Sequence, residues 1–196
     1  MCPFQRANKK EIPQGVSFFI AFYALNKTNT HSIYYFGVSY MKIKWKELII
    51  AVAIPLLVGG LSALLTSDSM QSFEQIAKPP LSPPGWLFPV VWTILYVLMG
   101  IASYLIYTAK YSAGMAGNAL FFYFVQLIFN FFWSIIFFNW EMYLFAFIWL
   151  LALLALIIIT TIKFYKISKP AAYLMIPYIL WVAFAGYLNL GIYLLN

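Results

Sequence analysis

Residues 119–138 read ALFFYFVQLIFNFFWSIIFF, twenty positions without an acid, a base or a histidine. A helix that crosses the hydrocarbon core of a bilayer needs about 20 apolar residues. Working outward, four more stretches of this kind appear: Leu48–Thr66, Trp86–Thr108, Met142–Ile162 and Ala172–Leu195. None of the five contains Asp, Glu, Lys, Arg or His. The whole chain agrees with them, being 64% hydrophobic, 21% aromatic and 9% charged over 196 residues. A soluble domain carries about 25% charged residues, so a water-soluble enzyme is excluded. A disordered chain is excluded by the high apolar content. A membrane β-barrel would show short alternating strands, whereas Leu150–Ile159 is continuously apolar. The expected fold is therefore an all-α membrane protein, a five-transmembrane-helix bundle over residues 41–196.

The connectors are Ser67–Gly85, Ala109–Asn118, Asn139–Glu141 and Lys163–Ala171. The short ones force antiparallel neighbours. Lys42, Lys44, Lys46, Lys110, Lys163, Lys166 and Lys169 then gather at one end of the bundle. The other end carries Lys78 among Asp68, Glu74 and Glu141. Basic loops stay cytoplasmic during insertion. The expectation is a bacterial cell membrane protein with its N-terminus cytoplasmic and its C-terminus outside. The net charge of +7 reads as this topology signal and not as a nucleic-acid footprint.

Residues 1–40 stand apart as an N-terminal extension. Val16–Leu25 is too short to span, and no clean cleavage site follows it. The run Met41-Lys-Ile-Lys-Trp-Lys-Glu, leading straight into an apolar helix, reads as the natural start of translation. No function is placed before Met41, which leaves Cys2 and His31 without a role. With one cysteine and one histidine in the chain, neither a disulfide framework nor a metal centre is expected. Ionisable groups inside membranes mark proton relays and ion paths. Their absence argues against an ion-driven pump, a retinal Schiff base or acid–base catalysis, so no catalytic residue and no cofactor is assigned.

What the spans do contain is rings and amides. Phe88, Trp92 and Tyr96 recur every four residues and share a stripe. Gln126, Asn130 and Trp133 share another, and Trp181, Ala185 and Asn189 a third. An amide in hydrocarbon needs a partner. It can pair across helices, or it can present a donor and acceptor to a ligand; the spacing allows both. The fourth span, mostly aliphatic, is expected to be the most lipid-facing or oligomer-facing. Connector one holds Lys78-Pro-Pro-Leu-Ser-Pro-Pro-Gly-Trp. Its prolines make it stiff, suited either to a lid over an interhelical cavity or to a rigid spacer.

From Met41 to Asn196 the chain resembles the TspO/MBR family of bacterial tryptophan-rich sensory proteins, whose animal relatives are the mitochondrial translocator protein or peripheral benzodiazepine receptor. Three stretches carry the likeness: Pro83-Pro84-Gly85-Trp86-x-Phe88 with Trp92 and Tyr96; Gln126-Leu127 with Asn130, Trp133-Ser134 and Phe137-Phe138; and Pro177-Tyr178 with Trp181, Phe184-Ala185 and Leu188-Asn189. The resemblance implies a bundle that forms a homodimer in many members. It also implies an intra-bundle pocket for flat hydrophobic molecules such as porphyrins. Carried over by position, Gln126, Asn130, Trp133, Trp181, Ala185 and Pro83 line that pocket, beside Trp92, Tyr96 and Asn189 of the stripes. Leu81 departs from the family's usual tryptophan, which puts porphyrin degradation in doubt. The basic, aromatic sterol-recognition segment of the animal C-terminus is absent from Leu190–Asn196. The functional expectation is a receptor or sensor for porphyrins, ahead of a transporter of such ligands or a porphyrin-degrading enzyme.

Overall fold

A computed structural model describes residues 43–69 and 75–196. The N-terminal extension, with Cys2, His31 and the Met41 start, lies outside the described residues. The unit from Lys44 to Asn196 contains five long helices. They are α1 (Trp45–Thr66), α2 (Leu87–Tyr107), α3 (Ala113–Ser134), α4 (Tyr143–Ile167) and α5 (Lys169–Leu195). All five are long and apolar enough to cross a membrane, and no strand occurs among the described residues. The five-helix expectation therefore holds.

The helices run further than the apolar stretches do. Lys163, Lys166 and Lys169, read as connector, are helical, and only Ser168 separates α4 from α5. At 25 residues, α4 extends about 37 Å against a hydrocarbon core of about 30 Å. Its last turns therefore stand in the headgroup region, where lysines reach water. Lys163 Nζ there donates to Asn118 Oδ1 at 2.6 Å and lies 4.5 Å from the Phe122 ring centre. The end of α3 widens into a π turn over Ile135–Asn139, which the hydrophobic pattern did not announce.

Helix neighbours form a closed ring in the order α1, α2, α5, α4, α3 and back to α1. The α1–α2 contact is set by small residues. A Cβ on Gly59 would run into the Tyr96 ring, and one on Gly100 would stand 2.5 Å from Val52 Cα and 2.8 Å from the Ala51 carbonyl oxygen. That carbonyl is free because Pro55, four residues on, has no N–H to give it. Trp149 fastens α4 to α3: its indole N–H donates to the Phe129 carbonyl at 2.8 Å, and its ring stacks on Phe129 with centres 4.4 Å apart.

Burial corrects one expectation. The helix most open to lipid is α1, with 11% of its span buried, against 28% for α4. The fourth helix is held between α3 and α5, and the first, between α2 and α3, keeps more of its surface on the outside. Its exposed face is Leu57, Leu61 and Leu64.

Connector one is strapped onto the end of α5. Ala77 N–H donates to Asn196 Oδ1 at 3.1 Å, and Asn196 Nδ2 donates back to the Ala77 carbonyl at 3.0 Å. The Tyr187 hydroxyl donates to the Pro80 carbonyl at 2.8 Å. Pro79 is buried against Gly191, where a Cβ would come within 2.6 Å of the proline ring. On the same end, Asn139 Nδ2 donates to the Leu65 carbonyl at 2.9 Å, and the Ser69 hydroxyl donates to Asn139 Oδ1 at 2.8 Å. Connectors one and three thus meet the C-terminus at one end, and the lysines of α4 and α5 stand at the other.

Candidate functional site

Within the ring of helices the most distinctive feature is a directed chain of hydrogen bonds. The Tyr96 hydroxyl on α2 donates to Asn130 Oδ1 on α3 at 3.1 Å. Asn130 Nδ2 donates to the Tyr178 hydroxyl on α5 at 2.8 Å. The Tyr178 hydroxyl donates in turn to Gln126 Oε1, back on α3, at 2.8 Å. The four side chains are buried, with Gln126 and Tyr178 fully shielded. Three helices are tied together by groups that hydrocarbon cannot solvate. Trp92 seals the chain on one side, stacked on Tyr96 at 5.5 Å and edge-on to Tyr178 at 6.1 Å.

The chain ends in a donor with no acceptor. Gln126 commits its oxygen to Tyr178, so its Nε2 hydrogens point onward, and they meet no hydrogen-bond partner. A buried polar group left unmet costs about 1–3 kcal/mol. The Trp181 indole N–H, on α5, is also buried and unpaired. The Tyr123 and Ser62 hydroxyls are likewise buried without a partner, whereas most buried polar groups in native proteins are paired.

A second polar cluster lies nearer the strapped end. Trp133 Nε1 donates to Asn189 Oδ1 at 3.3 Å, and Asn189 Nδ2 donates to the Tyr143 carbonyl at 2.8 Å. This joins α3, α5 and the start of α4. Trp133 stacks on Phe137 in the π turn, with ring centres 5.4 Å apart.

Of the positions singled out in the sequence, Trp92, Tyr96, Gln126 and Asn130 meet around the chain, while Trp133 and Asn189 meet in the second cluster. Trp181 stands apart, half-buried, with its ring 5.9 Å from Phe88. Ala185 is buried on α5 without a polar partner, and Pro83 is half-buried in connector one. The amides therefore do pair across helices, through Tyr178. That tyrosine is the residue the sequence reading passed over. It lies one residue after Pro177 and three before Trp181, and a tyrosine in an apolar run gives no local sign of the amides it will meet.

Tyr96 and Tyr178 are both buried at this level of the interior. Open space lies on the outside of the ring. A groove of about 370 Å³ between α2 and α5 is lined by Val91, Ile94, Leu95, Leu98, Pro177, Leu180, Trp181 and Phe184. Another of about 340 Å³ runs between α4 and α5 past Phe147, Leu151 and Gly186. Both have almost wholly apolar walls. No group of His, Cys, Asp or Glu suited to a metal ion occurs among the described residues.

Comparison with known proteins agrees with this architecture. The sequence pattern of the TspO/MBR family matches residues 51–195. The tryptophan-rich protein TspO of Archaeoglobus fulgidus is 36% identical over 151 residues, covering 76% of this chain and 97% of that protein. The tryptophan-rich protein TspO of Chlorobaculum tepidum is 36% identical over 124 residues, 63% of this chain and 78% of its own length. The translocator protein of Bos taurus is 34% identical over 149 residues, 74% of this chain and 87% of its own. Five apolar helices and a match across nearly all of them make this chain an integral membrane protein of the TspO/MBR family.

Proposed function

We propose that the protein is a membrane receptor or sensor that binds flat hydrophobic molecules, porphyrins foremost, inside the helix ring. The site comprises Gln126, Asn130, Trp133, Trp181, Ala185 and Asn189, with Trp92, Tyr96 and Pro83 at its margins. The observation that carries this reading is the pair of buried, unpaired donors, Gln126 Nε2 and Trp181 Nε1, in a setting of stacked rings. A planar ligand with a peripheral oxygen supplies what both lack: an aromatic face for the rings and an acceptor for the N–H groups. The names of the relatives, tryptophan-rich protein and translocator protein, are compatible with this role.

Titrating the purified protein with protoporphyrin and following its tryptophan emission provides the test. Saturable quenching is expected at micromolar ligand, weakened at least tenfold by Asn130→Ala and by Trp181→Ala. Equal affinity in the wild type and both variants would remove the site. We also place the lysine-rich end in the cytoplasm, on the basic-loop rule. Cysteine labelling from one side of intact cells, at Lys110→Cys against Leu81→Cys, reports the orientation.

A further inference from the structure

Building on the reading above, we propose that the groove between α2 and α5 is a lateral doorway. Through it a flat apolar ligand passes from the bilayer to the interior chain, with the Trp181 side chain as its door.

Four observations converge on this groove. It opens on the outer surface of two membrane-spanning helices, so the medium that meets it is lipid, and its walls offer that medium almost no polar surface. Its walls carry the chain neighbours of the interior tyrosines. Leu95 and Pro177 face the groove, while their chain neighbours Tyr96 and Tyr178 face inward and belong to the hydrogen-bonded chain. Trp181 stands in those walls with both aspects at once: its ring lines the groove, and its N–H is buried with no partner. A tryptophan wedged for structure alone normally spends its N–H on an acceptor, as Trp133 and Trp149 do here. Finally, Pro177 lies inside α5 at the groove. It withholds the hydrogen bond that the Tyr173 carbonyl would otherwise receive, which loosens the helix where a door must yield.

The α4–α5 groove shares the apolar walls but lacks the other features. It carries no unpaired donor and no proline, and its floor is Leu150 and Val182, both fully packed. Connector one, the other conceivable entrance, is strapped to α5 by Tyr187, Gly191 and Asn196.

The experiment fills the groove from the α2 side with Ile94→Phe combined with Leu98→Phe, both lining the groove and neither a member of the interior chain. Porphyrin association and dissociation are followed by porphyrin emission after rapid mixing with protein in lipid nanodiscs. Both rates are expected to fall at least tenfold while the equilibrium constant changes by less than threefold. Unchanged rates in the filled protein overturn the doorway. A second measurement needs no ligand. In nanodiscs of brominated phosphatidylcholine, the emission belonging to Trp181, taken as wild type minus Trp181→Phe, is expected to be quenched in the open groove and protected in the filled one. Equal quenching in both also overturns the doorway. Failure of the wild type to bind porphyrin removes the proposed function, and the bromine result still decides whether lipid chains reach Trp181.

Discussion

The first and fifth helices are built from similar residues, yet they do opposite jobs. The more apolar of the two, α1, has 11% of its span buried; α5, which carries Tyr178, Trp181 and Asn189, has 44% buried. In a water-soluble protein the order would be reversed. Lipid solvates leucine as well as a protein interior does, so nothing drives the apolar helix inward. Asn189 and the Tyr178 hydroxyl have no such choice, because only other protein groups can satisfy them. In this bundle polarity, not greasiness, decides which helix becomes the centre.

The sharpest way to break that comparison is to remove the polar hub. Asn130→Leu leaves the Tyr96 proton without an acceptor and the Tyr178 oxygen without its donor. A stability loss of about 2 kcal/mol is expected, read as a shift of the unfolding midpoint in detergent. A variant as stable as the wild type would mean that the chain is incidental. Next comes Gly100→Ala, whose methyl meets the Val52 backbone and cannot be relieved by a rotamer change. It should cost about 1–3 kcal/mol by overpacking and loosen the α1–α2 contact. Gly60→Ala tests the same helix pair with the opposite sign. Nothing lies within 4 Å of a Cβ there, so the better helix former should add about 0.5–1 kcal/mol. Smallest of all is Leu61→Val on the lipid face of α1, a side chain 54% exposed. Its effect should stay within about 0.5 kcal/mol, and a larger one would show that a partner covers this face.

Most of the fold was legible because bilayer thickness imposes a length that composition reveals directly. The ends of the helices were not, since apolarity marks where hydrocarbon stops and hydrogen bonding continues into the headgroups; Lys163 and Lys169 are helical for that reason. The interior polar residues were half legible. Gln126 and Asn130 announced themselves as amides in hydrocarbon, and their shared face followed from spacing alone. Their partner did not, because Tyr178 lies 48 residues beyond Asn130 and meets it only once the ring has closed. The greatest exposure to lipid falls to α1 and not to α4 for a related cause. Aliphatic bulk is equally at home against lipid and against α3 and α5, so composition could not tell α4 from α1.

Pro55 and Gly100 form a couple across two helices. The proline strands a carbonyl, and the glycine alone is slim enough to let the neighbouring backbone settle against it. Engineering either position by itself is therefore misleading. Restoring an ordinary amide at 55 gives the Ala51 carbonyl a donor but leaves the Val52 backbone against Gly100, while adding a methyl at 100 pushes on that carbonyl and on Val52 alike. Only a paired exchange, Pro55→Ala with Gly100→Ala, would reveal whether the seam between these helices is a strained device or simply one of two equivalent ways to knit them.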